Sequence, residues 1–347
     1  MATLAGVRAA ASSGFRLSGT TLDWAVIAAA TWLGGGLYWD GWAHGYGLPD
    51  SFWTIWHAAF YSGFLACATV LFAAVAQARP NAASWRAAIP AGYAGAIVGV
   101  FVFGVGGAFD LIWHTLFGIE LSTDALLSPS HLMLGTGALL IVSAPFVAAT
   151  RRPFRAGLVA QLPAVISLTS ILGTFTFFSL FAGPYSAVLG SGPKPSSSTL
   201  VRTLLGMYLY SALVVGIALY ALRRGILPVG SLTLIIGLNA IAMIVMQGHA
   251  PIEVQAMFAT VAIAAGAIGD VLLWRLRPSD ERPMQTQLFA FALPVVYFTL
   301  YIGVVVWRIG SGWTVHELTG MVLLSGVVGL LLSLVALPPR SAREQRP

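Results

Sequence analysis

Two stretches of this 347-residue chain repeat a set of side chains able to hold a metal ion: Asp40, His44 and His57, then Asp110, His114 and His131. The aspartate and the first histidine recur at an offset of seventy positions, and the second histidine at an offset four larger, which a loop insertion absorbs. Asp and His four apart share one face of a helix, with Cβ atoms roughly 5–6 Å apart. The second histidine then returns from the start of the next apolar segment. Two imidazoles and one carboxylate offer neutral nitrogen and anionic oxygen, a set suited to Zn, Cu(II) or non-haem Fe(II). The single cysteine, Cys67, lies within an apolar segment, which excludes thiolate clusters, iron–sulfur centres and a disulfide framework. The competing reading is two solvated helix ends with no ligand. Duplication and the returning histidines favour an ion, because ionisable groups near a bilayer are costly without a partner.

The elements that must position these residues follow from composition. With 58% apolar and 9% charged residues and a mean hydropathy of +0.84, against roughly 25% charged in a soluble domain, the chain reads as an all-α, polytopic membrane helix bundle. Apolar runs of the ~20 residues that cross a bilayer fall at ten places: 22–39, 52–78, 87–109, 128–150, 157–182, 200–222, 227–247, 252–274, 285–307 and 315–337. The first starts too late and runs too long for a cleaved signal, so it is expected to remain as a helix. Short arginine-rich loops stay cytoplasmic. Placing both termini in the cytoplasm puts fifteen of the eighteen basic residues inside, leaving only Lys194, Arg202 and Arg308 outside. The net charge of +6 is then a topology signal, and no nucleic-acid partner is implied. On this topology all six histidines lie at outer helix ends or in outer loops, together with Asp40, Asp50, Asp110, Glu120, Asp124, Glu253 and Glu317. The expected location is therefore the cell membrane, with the metal sites on the extracytoplasmic side.

The organisation expected is a cytoplasmic segment 1–21, a five-helix half 22–182 carrying the duplicated hairpins, an outer Gly/Pro/Ser-rich loop 183–199, a second five-helix half 200–338 and a basic cytoplasmic tail 339–347. Other polar residues are accessory candidates with a plainer alternative. Glu120 lies between the two histidines of the second set. His249 and Glu253 flank Pro251, and His316 with Glu317 opens the last span; both pairs also fit helix-entry chemistry. Asp270 sits within an apolar run, where it either pairs with Arg275 or Arg277 or marks a path through the second half. Gly104, Gly106 and Gly107 precede Asp110 and fit close helix packing. Trp39, Trp42, Trp53, Trp56 and Trp113 flank the sets, either as an interfacial belt or as the lining for a small apolar substrate.

The stretch Asp40-Gly41-Trp42-Ala43-His44, continuing to Trp56-His57 and Phe60-Tyr61-Ser62, resembles the first metal-binding segment of the C-type membrane subunit of particulate methane and ammonia monooxygenases. That family carries Asp, a His four later and another thirteen beyond. Asp110-Leu111-Ile112-Trp113-His114-Thr115, through Glu120 to Ser128-Pro129-Ser130-His131, resembles its second segment. The resemblance implies copper held by Asp40, His44 and His57, a second site at Asp110, His114 and His131, and work in a complex with other membrane subunits. It covers about residues 35–145. Asp110 stands where the family has Asn, and the loop between His114 and His131 is three residues longer.

Three function classes follow. The leading one is a copper-binding membrane protein related to that monooxygenase family, oxidative in character; iron and zinc are the alternative metals. The second is a non-catalytic metal-handling protein or transporter, capturing ions at the outer histidines and passing them by Asp270. The third is a structural or assembly subunit. Beyond the lipid bilayer, the partners expected are other membrane subunits or further copies of the chain.

Overall fold

The computed structural model describes residues 16–49, 51–118, 120, 123–183, 196–248 and 250–337. His249, Asp50 and most of the N-terminal segment, the outer loop and the basic tail lie outside them. The described residues form helices and no strand: α1 (Gly19–Gly45), α2 (Ile55–Ala78), a short α3 (Trp85–Ala88), α4 (Ala94–Phe117), α5 (Thr123–Leu127), α6 (Pro129–Val142), α7 (Ala144–Ala149), α8 (Leu158–Phe178), α9 (Ser197–Arg223), α10 (Ser231–Gln247), α11 (Ile252–Leu276), α12 (Pro283–Val304) and α13 (Val315–Ala336). Eight helical segments are long and apolar enough to cross a membrane, with α6 and α7 forming one of them, which is the architecture of a multi-pass helical membrane protein. The other two of the ten expected segments are also helices. They are α1, which carries Asp23, Asp40 and His44 along its 27 residues, and α10, an apolar helix of 17 residues.

Neighbouring helices pair as antiparallel hairpins: α1 with α2, α4 with α6, α10 with α11 and α12 with α13. In the first two, glycine sets the separation. A Cβ on Gly36 would lie 2.5 Å from the Phe60 backbone, and one on Gly63 would lie 2.5 Å from the Leu33 backbone. The second hairpin repeats the device, Gly137 facing the Phe103 backbone at 2.6 Å and Gly99 facing the Gly137 carbonyl at 2.8 Å. Lipid tails are as apolar as the helices, so association rests on close van der Waals packing, and small residues permit it. Gly106 packs on Leu134 and Gly107 admits the Tyr61 ring, whereas Gly104 makes only ordinary contact.

Two apolar cores result. One joins buried residues of α1, α2, α4, α6 and α7; the other gathers those of α8 to α13. Asp270, 4% exposed, is explained by the second core. Its carboxylate accepts from the Leu232 and Thr233 amides at 3.1 and 2.9 Å and from the Thr233 hydroxyl at 2.6 Å. The expectation of an arginine partner is therefore corrected. Asp270 caps the N-terminus of α10, where free amides and the helix dipole stabilise an anion, while Arg275 lies over the Trp274 ring at 4.6 Å.

The glycine crossings lead to a prediction. Gly137→Val should lower the melting temperature of detergent-purified protein, since forced overpacking costs about 1–3 kcal/mol. Gly95→Ala, where a Cβ meets nothing within 4 Å, should melt at or slightly above the wild-type temperature.

Candidate metal centre

Both predicted ligand sets assemble. Asp40 and His44 lie on the last turns of α1 and His57 in the first turn of α2; Asp110 and His114 lie on the last turns of α4 and His131 in the first turn of α6. Within each set one ligand atom per residue lies within 4.8 Å of the others. Asp110 Oδ1 is 3.4 Å from His114 Nε2 and 3.0 Å from His131 Nε2. Asp40 Oδ1 is 3.2 Å from His57 Nε2 and 3.7 Å from His44 Nε2. Ligands on one ion at bonds of about 2.1 Å stand roughly 3–3.6 Å apart, so both aspartate–histidine distances of the second set lie in that range and one of the first set's, Asp40 to His44, is slightly longer.

The returning histidines are held in the same way. Ser128 and Thr54 are the N-caps of α6 and α2, placing His131 and His57 at the third helical position. Pro129 at the first position of α6 suits a helix start, and the Ser128 hydroxyl accepts from the His131 amide at 3.4 Å. Each imidazole Nδ1 then meets the carbonyl six residues upstream: His57 with Ser51 at 2.9 Å, His131 with Ala125. A carbonyl can only accept, so Nδ1 carries a proton, and in the neutral ring Nε2 is the nitrogen left to ligate. His114 obeys the same rule, its Nδ1 facing the Gly118 carbonyl at 3.3 Å and Glu120 Oε2 at 3.0 Å. This orienting of a ligand imidazole through its other nitrogen is the usual support of metal-bound histidine.

The consequence is electrostatic. Asp40 Oδ1 and Asp110 Oδ1 are buried and accept no hydrogen bond among the described residues. An anionic oxygen faces imidazole Nε2 atoms at about 3 Å, an arrangement satisfied either by a proton on the ring nitrogen or by a metal cation between neutral rings and carboxylate. The residues present therefore fit a divalent metal in both places.

The sets meet across one cavity of about 290 Å3. Asp40, His44, His57, Asp110 and His131 line it, and the remaining wall is mostly apolar, with Phe60, Leu134, Phe177, Phe178, Leu180 and Phe181. Tyr61 joins the two halves: it stands on α2, one turn past His57, and donates its hydroxyl to Asp110 Oδ2 at 3.3 Å. That bond leaves Oδ1 as the oxygen aimed at the histidines. No protein-family model, no curated protein and no solved structure matches this chain.

Of the accessory candidates among the described residues, only Glu120 joins a set, through His114; His249 lies outside them. Glu317 completes a capping box with Thr314, accepting from its amide at 2.7 Å, and the adjacent His316 is exposed. Glu253 is exposed in the first turn of α11. Neither His316 nor Glu253 belongs to a group of three or more ligating side chains among the described residues. Of the flanking tryptophans, Trp53 is 84% exposed and none lines the cavity. Tyr61, Phe177 and Phe178 were not singled out by the sequence as wall residues, and α8, which supplies the last two, carries no ionisable residue to draw attention to it.

Tyr61→Phe removes one orienting hydrogen bond and keeps the ring. It should weaken metal binding at the Asp110 set by about 10–100-fold, the usual effect of losing such a partner, with a smaller change at the Asp40 set. Titration with Cu(II) followed by electron paramagnetic resonance checks this; equal weakening of both sets would refute it.

Proposed function

We propose that this protein is a membrane metalloprotein that oxidises a small apolar molecule, holding copper at Asp40, His44 and His57 and at Asp110, His114 and His131. The observation that carries the reading is the shared cavity. Two ligand sets with orphaned carboxylate oxygens open on a single recess whose remaining wall is largely aliphatic and aromatic. Its volume, about 290 Å3, lies just below the range of about 300–1,000 Å3 usual for ligand pockets, which suits a small molecule. In the proposed topology all ten long helical segments cross the cell membrane, both termini are cytoplasmic and the cavity lies near the extracytoplasmic surface. The resemblance to the monooxygenase family favours copper over iron or zinc, and other membrane subunits or further copies of the chain as partners.

Copper supplies the reactivity toward dioxygen that side chains lack. The protein's part is binding and placement. His57 and His131 would offer Nε2, their Nδ1 atoms being bonded to carbonyls, and Tyr61, bonded to Asp110 Oδ2, would leave Oδ1 to bind the metal. The Phe60, Leu134 and Phe177 walls would give an apolar substrate a place to partition. Insertion of one oxygen atom into a C–H bond reduces the second atom of O2 to water and consumes two electrons and two protons, so an external reductant is part of the proposal.

Metal handling without catalysis is less well supported. Asp270, the residue that reading needs for passage, is occupied in capping α10. A purely structural role would have the histidines pair with the aspartates as imidazolium ions, and wild-type protein would then take up no metal.

Metal content is the deciding measurement. Protein purified in mild detergent after growth with copper, iron and zinc should carry about two equivalents of copper, and His44→Ala and His114→Ala should each lose about one. Wild-type protein that takes up no metal even on reconstitution would sink the proposal, and two equivalents of zinc with no copper would remove its oxidative part.

A further inference from the structure

At the other end of the molecule, a pocket of about 100 Å3 lies between the start of α1, the α7–α8 connection and the chain just after α9. Asp23 lines this pocket and Asp40 lines the metal cavity on the same helix; at 1.5 Å per residue they are about 25 Å apart. Three arginines line the pocket: Arg152, Arg155 and Arg224. Arg152 is committed to Asp23, bonding one carboxylate oxygen through Nη1 and the other through Nη2 at 3.0 Å, while Tyr93 donates to the same carboxylate at 2.6 Å. Arg155 and Arg224 have no acidic partner among the described residues; the Arg224 guanidinium stands over the Tyr220 ring at 5.3 Å. One carboxylate thus faces three guanidinium groups, and the pocket holds excess positive charge.

Two further features face the same space. Gly157 caps α8 without a side chain, and Ala160 and Gln161 of its first turn line the pocket, so the amide end of a 21-residue helix adds its dipole to the attraction for an anion. Gln161 is 7% exposed; its Nε2 donates to the Arg155 carbonyl at 2.7 Å and the Gly225 carbonyl at 3.4 Å, and its Oε1 has no partner. The guanidinium groups and the helix end call for an anion, whereas a buried amide oxygen calls for a donor. A phosphate ester bearing a free hydroxyl supplies both.

We propose that this pocket binds a glycerophosphate group, with the phosphate held by Arg155, Arg224 and the α8 N-terminus and a glycerol hydroxyl donating to Gln161 Oε1. The source favoured is an anionic lipid headgroup of the phosphatidylglycerol type. The pocket opens among helix ends on the arginine-rich side of the bundle, with Phe154, 72% exposed, on its rim, and basic recesses between helices on that side suit anionic lipids. A soluble glycerol phosphate has the same chemistry and is the other source. The proposal is independent of the metal sites.

The test uses the full chain in nanodiscs of equal phosphatidylglycerol and phosphatidylcholine, with lipids retained on release counted by native mass spectrometry. Wild-type protein should retain phosphatidylglycerol preferentially. Arg155→Gln/Arg224→Gln, which alters two exposed side chains, should lose roughly tenfold or more of that preference, and Arg275→Gln, an exposed arginine away from the pocket, should retain it. A second arm titrates detergent-purified protein with glycerol 3-phosphate and with inorganic phosphate. Saturable glycerol 3-phosphate binding that the double variant loses, without lipid preference, supports the pocket and assigns the soluble source. Absence of both lipid preference and glycerol 3-phosphate binding, or undiminished binding in the double variant, overturns the proposal.

Discussion

A buried carboxylate oxygen set against two imidazole nitrogens needs compensating positive charge, and this protein builds that arrangement twice. At about 3 Å and in low dielectric, such a carboxylate requires positive charge beside it, supplied by a proton on the imidazole or by a metal cation. Much of the surrounding structure serves that demand. The glycine-mediated crossings bring α1 against α2 and α4 against α6 so closely that a helix C-terminus and the next helix N-terminus share their side chains. The helix ends help as well, because the negative C-terminal ends of α1 and α4 favour positive charge near His44 and His114.

The two sites are equivalent in construction but not in surroundings. The carbonyl-to-Nδ1 bond spans six residues in both hairpins, so the duplication extends to the orientation of the rings. The position four beyond the returning histidine differs: Tyr61 in the first hairpin, Gly135 in the second. Tyr61 reaches across to the other hairpin's aspartate, whereas a Cβ on Gly135 would meet the Phe178 ring at 2.5 Å. One position therefore ties the two sites together, and the other admits α8 to close the cavity. The opposite end of the bundle uses electrostatics differently: there the Asp23–Arg152 pair and Tyr93 bind α1 to the chain beside α7 and α4.

The residues of the two ligand sets were legible in the sequence because each depends on local geometry. A four-residue spacing fixes one helix face, and a short hairpin returns the next helix to the same end. Apolar runs and arginine distribution likewise indicated a helical membrane bundle before any contact was known. Asp270 shows where this reasoning stops. Arg275 and Arg277 are its nearest charged neighbours in sequence, yet its oxygens go to the amides that open α10, thirty-seven and thirty-eight residues away. A free helix N-terminus is a strong anion acceptor that sequence proximity does not reveal.

By itself, then, the sequence determined the helical membrane character, the identity of the six Asp and His side chains that gather in two clusters and the pairing of each returning histidine with its aspartate. Tertiary structure alone decided that both sets open on one cavity, that Tyr61 crosses between them and that Phe177 and Phe178 form its wall. The physical reason is range. Periodicity and hairpin return act over a few turns of helix, whereas a shared cavity depends on how α8 packs against hairpins whose ligands precede it by up to more than a hundred residues. That packing is set by shape and glycine placement across separate helices, and no short spacing in the chain encodes it.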